Sequence, residues 1–297
     1  MLSILIPVYN YNCYRLVRDL HFQAENAGIE YEIIVMDDAS TVFFHENGLI
    51  DKLSNCHYLV SSSNLGRATG RNALARESKY PYLLFIDCDA EVCRETFIQN
   101  YISEISEKEV VCGGCTYPEL LPSQAFSLRW TYGRLREGRN AVERNADKFN
   151  SFTTFNFLIF NKLFFEICFD ENLKGYGHED TLFGQALLDK YYTIRHIDNP
   201  LIHTGLDTND VYIAKTEEGV RSLLYLFQSG QYSFLIHRSR LLLVYNRLIK
   251  LHLKFSLKFI FLLFRPIFRY FLTRNHPSMR LFDFYKLGYL CSLTPQN

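Results

Sequence analysis

The sequence predicts an α/β fold built on a mostly parallel sheet flanked by helices, followed by a helical C-terminal extension. Three observations carry this. Short apolar runs alternate with helical segments through the first third of the chain, the signature of βαβ units. The apolar runs end in polar or acidic clusters, and open α/β sheets bind ligands outside the carboxyl ends of their strands. The chain has 297 residues, 48% of them hydrophobic, which suffices for a sizeable core and suggests one large domain with an appendage.

Taken in order, Leu2-Ser3-Ile4-Leu5-Ile6-Pro7-Val8 is the expected first strand. It has no basic region before it and is too short for the apolar core of a signal peptide. An amphipathic stretch from Tyr14 to Ala27 reads as a helix, Tyr31 to Met36 and His57 to Val60 as strands, and Arg67 to Ser78 as a helix. Tyr82 to Ile86 is the next strand. Val110 to Gly114 and Thr154 to Phe160 read as further strands, with the arginine-rich stretch Arg134 to Asn150 between them expected as a mobile loop. Thr181 to Asp189 reads as helical and Tyr192 to Ile197 as strand-like. These elements place a globular domain at 1–205 and a helical region at 206–297.

From Val211 the composition changes. In the segment 238–272, Arg247, Lys250, Lys254, Lys258, Arg265 and Arg269 fall on a narrow arc of one helical wheel, while Leu, Ile and Phe fill most of the rest. That pattern predicts a basic amphipathic helix lying in a membrane interface, kinked or ended by Pro266. Since no stretch of about 18 uncharged apolar residues occurs, contact at a membrane surface is expected rather than a spanning helix.

Composition narrows the partners. Only 22% of residues are charged and the formal net charge is zero, which argues against disorder and gives no global signal for nucleic acid. The eight cysteines (13, 56, 88, 93, 112, 115, 168 and 291) lack the dense spacing of a secreted disulfide scaffold, so reduced thiols and a cytoplasmic location are expected. Cys112-Gly113-Gly114-Cys115 has no second such pair to complete a zinc site and reads as a strand end.

The chemistry concentrates in Asp87-Cys88-Asp89, which closes the strand Tyr82 to Ile86. Two carboxylates there are costly to bury without a counter-ion, and a divalent cation supplies one. Cys88 is expected to point away from it, because successive side chains near a strand end alternate in direction. Asp37-Asp38 ends the second strand, and on its own that acid pair also suits a phospho-acceptor domain. The ordered set is more telling: Pro7-Val8-Tyr9-Asn10, Asp37-Asp38-Ala39-Ser40, Asn64-Leu65-Gly66-Arg67 with Arg71-Asn72, Asp87-Cys88-Asp89, and Gly175-Tyr176-Gly177-His178-Glu179-Asp180.

With these five motifs the chain resembles glycosyltransferase family 2, of the GT-A fold, over roughly residues 1–205. The last motif also looks like the acidic acceptor-site element of galactosyltransferase-like C-terminal regions. The resemblance implies an inverting transfer of a sugar from a nucleotide donor, most simply a UDP-sugar, to a glycan or lipid-linked acceptor in cell-surface polysaccharide synthesis. Such a role suits the inner face of the membrane. It implies that Tyr9 and Asp38 hold the nucleotide base in the motif that Pro7 opens, and that Asn64, Arg67 and Arg71 approach the base or diphosphate. It further implies that Asp89 binds Mn2+ or Mg2+, that Asp87 contacts ribose or metal-bound water, and that His203 completes the metal site, with His178 and His196 as alternatives. Asp180 is the candidate base, because a sugar hydroxyl is a poor nucleophile until its proton is removed, and Glu179 and His178 are candidates for acceptor binding.

Two other readings compete. A sugar nucleotidyltransferase shares a related scaffold, but the segment after the first strand, Pro7 to Asn12, contains no glycine for a triphosphate loop. A membrane-peripheral scaffold with a decayed transferase domain is opposed by the intact Asp87, Asp89 and Asp180.

Overall fold

The first strand forms because six of its seven residues are buried, leaving Pro7 alone half-exposed; this is β1, Leu2–Val8. The computed structural model describes residues 1–173 and 176–293. The strands that follow are β2 (Tyr31–Asp37), β3 (Cys56–Val60), β4 (Tyr82–Ile86), β5 (Ala90–Glu91), β6 (Glu109–Cys112), β7 (Cys115–Thr116), β8 (Asn156–Phe160), β9 (Thr193–His196) and β10 (Leu201–His203). Seven of them make the main sheet in the order β3-β2-β1-β4-β8-β6-β9, and β5-β10-β7 make a small second sheet. Pairing is parallel from β3 to β4, whereas β8 runs antiparallel to both β4 and β6. The mostly parallel sheet with flanking helices is as the sequence predicts.

The chain divides into two units. The first holds 1–118, 137–173 and 179–205, so both sheets lie in it. Its core gathers one face of the sheet around a cluster of phenylalanines, in which Phe85 stacks on Phe157 at 4.9 Å and Phe169 on Phe183 at 4.4 Å. Aromatic pairs of this kind add to plain area burial.

The direction of winding reverses at β1, with β2 on one side and β4 on the other. Open α/β sheets form their ligand crevice at such a switch point. Pairing of β1 with β2 runs to Val8 and Asp37, but pairing with β4 stops at Leu5 and Phe85. Pro7 lies beyond that point and has no N–H to give to a ladder. The carboxyl ends of β1 and β4 are thereby left for something other than each other.

The Arg134 to Asn150 stretch is not a mobile loop. Helical turns occupy Gly133–Glu137 and Ala141–Asn145, the latter started by a capping box in which Asn140 and Glu143 satisfy each other's backbone N–H. Arg144 is buried and donates to the carbonyls of Cys112, Gly113 and Ile197. The glycines between the two cysteines make room for it. A Cβ on Gly114, which has φ +85°, would lie 2.6 Å from the Arg144 guanidinium carbon, and one on Gly113 would lie 2.4 Å from the Asn199 carbonyl oxygen. Cys112-Gly113-Gly114-Cys115 is therefore a bend between β6 and β7 built around a buried cation.

The second unit holds 119–136, 176–178 and 206–293 of the described residues and is helical. Its long helices are Asn209–Gln228, Arg240–Lys250, Lys254–Leu272 and Met279–Ser292. The expected amphipathic segment is thus two helices, broken at Leu251–Leu253, where His252 takes φ +57°. Pro266 neither ends the second of them nor marks its boundary. The proline cannot donate to the Leu262 carbonyl, but both residues are exposed, so the loss falls on the outer side of the helix. On the inner side Gly288 admits Phe261, whose ring carbon would sit 2.5 Å from a Cβ at that position.

Candidate functional site

The predicted site residues of the first unit lie at or just beyond carboxyl strand ends or in the first turns of helices, Glu179 and Asp180 opening a helix that follows another helix, Asn161–Ile167. Tyr9 follows β1 with half of its surface exposed, a face open for stacking. Asp38 follows β2 and accepts from the backbone N–H of Leu65 (2.5 Å) and Gly66 (3.0 Å), where Gly66 has φ +80°. A carboxylate has about four lone-pair sites, so Asp38 keeps acceptor capacity after those two bonds. Asn64 donates to the Asp38 carbonyl at 3.2 Å, tying the same loop to the end of β2. Asp37 by contrast is buried and already engaged, accepting from Ser40 N at 2.6 Å and from the Tyr58 hydroxyl.

The helix Arg67–Glu77 brings its first turn to the end of β4. Arg71 is buried and its Nη2 lies 2.5 Å from Asp87 Oδ1. Cys88 turns its thiol to the Tyr9 backbone, and burial pushes that thiol well above its ordinary range. Asp89 points elsewhere, with Oδ2 3.6 Å from His203 Nε2. Burial raises the Asp89 carboxyl, while His203 and Arg67 oppose the shift. Asp87, Cys88 and Asp89 lie in the turn just beyond β4, and their side chains go to three different partners: Arg71, the Tyr9 backbone and His203.

Arg67 joins this cluster to the last motif. It acts on Asp89 electrostatically and lies 3.9 Å from Glu179 Oε1. Glu179 and Asp180 form the first turn of the helix Glu179–Asp189, and Asp180 Oδ1 accepts from Thr181 N at 2.7 Å. Acids are favoured in that turn because they meet free backbone N–H groups and the positive end of the helix dipole. Gly175 lies outside the described residues. His178, with φ +76°, belongs to the second unit, where its Nε2–H donates to the Gly219 carbonyl at 3.0 Å. His196 is not a metal ligand. Its Nδ1 accepts from Arg144 and its Nε2–H donates to the Lys148 carbonyl, and burial lowers its pKa to about 4.

The donor chemistry fits a hard divalent cation. Adjacent ligands of an octahedral ion at about 2.1 Å lie about 3 Å apart, close to the spacing of Asp89 Oδ2 and His203 Nε2. Asp87, two residues before Asp89, is held through its Oδ1 by Arg71. Among the described residues no group of three His, Cys, Asp or Glu closes on one point. A cation bound here is one that takes its remaining ligands from water and phosphate, as Mg2+ and Mn2+ do.

Several supporting residues escaped the sequence reading. His203 is stacked between Phe155 (5.1 Å) and Tyr117 (5.5 Å). Thr204 donates twice to the Asp89 carbonyl, and its hydroxyl meets that of Tyr11 at 3.1 Å. Gly205 is the tightest of them: a Cβ there would lie 2.4 Å from Asp89 Oδ2. No local pattern marks these residues, since each acts across 48 to 193 positions of sequence. The bare dipeptide Thr204-Gly205 after His203 was the one available signal.

An open α/β sheet with acids gathered at its switch point has the ligand crevice of a doubly wound fold. The profile of glycosyl transferase family 2 matches residues 3–164, and the chain belongs to that family. An uncharacterized glycosyltransferase of Haemophilus influenzae is 32% identical over 91 residues, 30% of this chain; the chain spans 36% of the length of that relative. The mannosyltransferase PcManGT from Pyrobaculum calidifontis, solved with GDP-Man and Mn2+, shares the fold at a TM-score of 0.53 and 14% identity, over 80% of this chain and 68% of that one. TarS 1–349 from S. aureus, solved with UDP-GlcNAc, aligns at a TM-score of 0.48 and 18% identity, over 75% of this chain and 66% of that one.

Proposed function

We propose that the chain is an inverting, divalent-metal-dependent glycosyltransferase that moves a sugar from a nucleotide donor, a UDP-sugar, to a glycan or lipid-linked acceptor. Family membership supports the transfer, and a fold neighbour solved with a nucleotide-sugar and Mn2+ supports the donor class and the metal. The observation that carries the reading is Arg67. Its Nη1 lies 3.9 Å from Glu179 Oε1, beside Asp180, and its charge opposes the upward shift of the Asp89 carboxyl at the end of β4.

In this reading Tyr9 stacks on the base, Asp38 accepts the imide N–H of uracil, and Arg67 and Arg71 steady the diphosphate. Asp89 and His203, with Asp87 beside them, would hold Mn2+ or Mg2+, which when bound neutralises the departing nucleoside diphosphate. Asp180 removes the acceptor hydroxyl proton, and Glu179 binds acceptor hydroxyls. A base opposite the leaving group gives a single in-line displacement and inverts the anomeric centre. The protein works at the cytoplasmic face of a membrane in cell-surface polysaccharide assembly, a role favoured by the basic, apolar C-terminal helices.

The test is hydrolysis and transfer with a panel of nucleotide-sugars and Mn2+, monitored as free nucleotide. Turnover of a UDP-sugar that EDTA abolishes supports the reading. Full activity in metal-free buffer overturns the metal assignment, and turnover confined to GDP- or dTDP-sugars overturns the uridine assignment.

A further inference from the structure

The second unit presents its apolar side outward, the reverse of what a solvated basic stripe requires. On the helix Lys254–Leu272, Phe255, Phe259, Leu262, Leu263, Tyr270 and Phe271 each expose more than half of their surface. At 3.6 residues per turn these six spread over about half of the circumference, and no charged residue lies among them. The charges occupy the opposite, inner arc. Arg265 Nη2 lies 2.8 Å from Glu217 Oε1, Arg269 Nη2 lies 2.8 Å from Asp210 Oδ1, and Lys254 sits 5.4 Å from the Tyr245 ring. Phe261 and Leu272 fill the same inner side and are fully buried.

An apolar face of this length needs an occupant. The charge of the surrounding chain selects it. Residues 219–282 contain eleven Lys and Arg and no Asp or Glu, in a chain with 32 residues of each sign overall. Inner-arc Arg265 and Arg269 are paired with Glu217 and Asp210, but Arg247, Lys250 and Arg274, which flank the helix in sequence, are exposed; two copies would set these cations against each other, whereas an anionic bilayer complements them. Among the described residues no helix is long and apolar enough to cross a membrane.

We propose that the outward face of Lys254–Leu272 inserts into the acyl boundary of an anionic lipid bilayer, with the helix lying in the plane of the interface. The inner-arc arginines hold the helix to its own unit. Cations outside that arc, such as Arg247, Lys250 and Arg274, meet the headgroups. Apolar burial supplies the larger part of the affinity and charge the smaller part. This deepens the membrane placement proposed above and is independent of the transfer chemistry.

The experiment is co-sedimentation of the full chain with vesicles of zwitterionic lipid, alone or mixed with anionic lipid. Binding to both is expected, tighter to the mixture. It should largely survive a rise from about 0.1 to about 1 M salt, which shortens the screening length from about 10 to about 3 Å. Phe259→Glu with Leu263→Glu should weaken binding at least about tenfold, because two large apolar side chains no longer enter the acyl region. A Phe259→Trp variant checks insertion where the charged pair fails to fold: its added emission should shift to the blue with vesicles. Complete release by salt, unchanged binding of the charged pair, or an unshifted tryptophan overturns the proposal. So does a vesicle-independent dimer that the charged pair converts to monomer. Manganese-dependent UDP binding, measured calorimetrically on each variant, is expected to stay at the native level, so a failure here leaves the donor site standing.

Discussion

The two units of this chain solve the problem of charge in opposite ways. In the first, apolar side chains fill the sheet, and acids stand at the strand ends: Asp38, Asp87 and Asp89 each meet a loop, an arginine or a histidine. In the second, the longest stretch without an acid folds with two of its arginines turned in toward Glu217 and Asp210 and with phenylalanines turned out. The difference teaches that a charge pattern in sequence does not say which side faces solvent. Acids at strand ends are placed by the strand before them, whether turned inward like Asp37, bonded to Ser40 and Tyr58, or toward the crevice like Asp38. Arginines on a helix face whichever neighbour offers a buried carboxylate, as Glu217 does.

Prediction can break this contrast at four points. The largest effect is expected at Asp180. Asp180→Asn should lower transfer by about 10² to 10⁴-fold while leaving donor binding intact, as measured by transfer assay and calorimetry. Near-normal transfer would remove Asp180 from the role of base. Next comes acid sensitivity in the sheet. Unfolded histidine protonates near 6.5, but folded His196 resists until about 4, so stability is full above 6.5 and falls as pH drops through that window. The loss attributable to this group is roughly 3 kcal/mol. Chemical denaturation at neutral and acid pH should show it, and His196→Gln should flatten it; an unflattened profile would assign the sensitivity to other groups.

A smaller effect is expected at Gly205. Its alanine variant pushes a methyl group against Asp89, and displaced support of a metal ligand typically costs about 10- to 100-fold. Manganese-dependent UDP binding should weaken with unfolding temperature little changed; native affinity would mean that Asp89 moves freely or is not a ligand. The smallest belongs to the second unit. Gly288→Ala overpacks Phe261, and part of that cost is offset by alanine's better helix propensity, leaving a net loss of about 1 kcal/mol in thermal or urea unfolding. Donor binding should not change, whereas an equal loss at the sugar site would show the two units to be coupled.

Much of the first unit was legible before its structure. β1, β2 and β4 could be read as apolar runs because buried strands need little but apolar residues, and their terminal acids could be read because the site of an open sheet lies there. Asp180 at a helix start was legible for the same local reason. Arg144, Tyr11, Phe155 and Gly205 were not, since each acts on a partner far away in sequence. The Arg134 to Asn150 stretch looked like a loop because its polar residues suggest solvent, although Arg144 spends its donors on the buried carbonyls of a glycine bend. Pro266 looked like a helix breaker because sequence alone does not say that it lies on the outer side.

The sequence by itself determined the sheet, the five motifs, the membership of glycosyltransferase family 2, whose profile spans the first four of them, and an excess of positive charge in residues 219–282. These follow from local rules: periodicity, adjacency and composition. Only the tertiary structure decided that Asp87 faces Arg71 while Asp89 faces His203, that Arg67 comes within 3.9 Å of Glu179, and that the C-terminal helix turns its arginines in and its phenylalanines out. Those choices depend on which distant groups burial brings within a few ångströms, and burial is a property of the whole fold rather than of any segment.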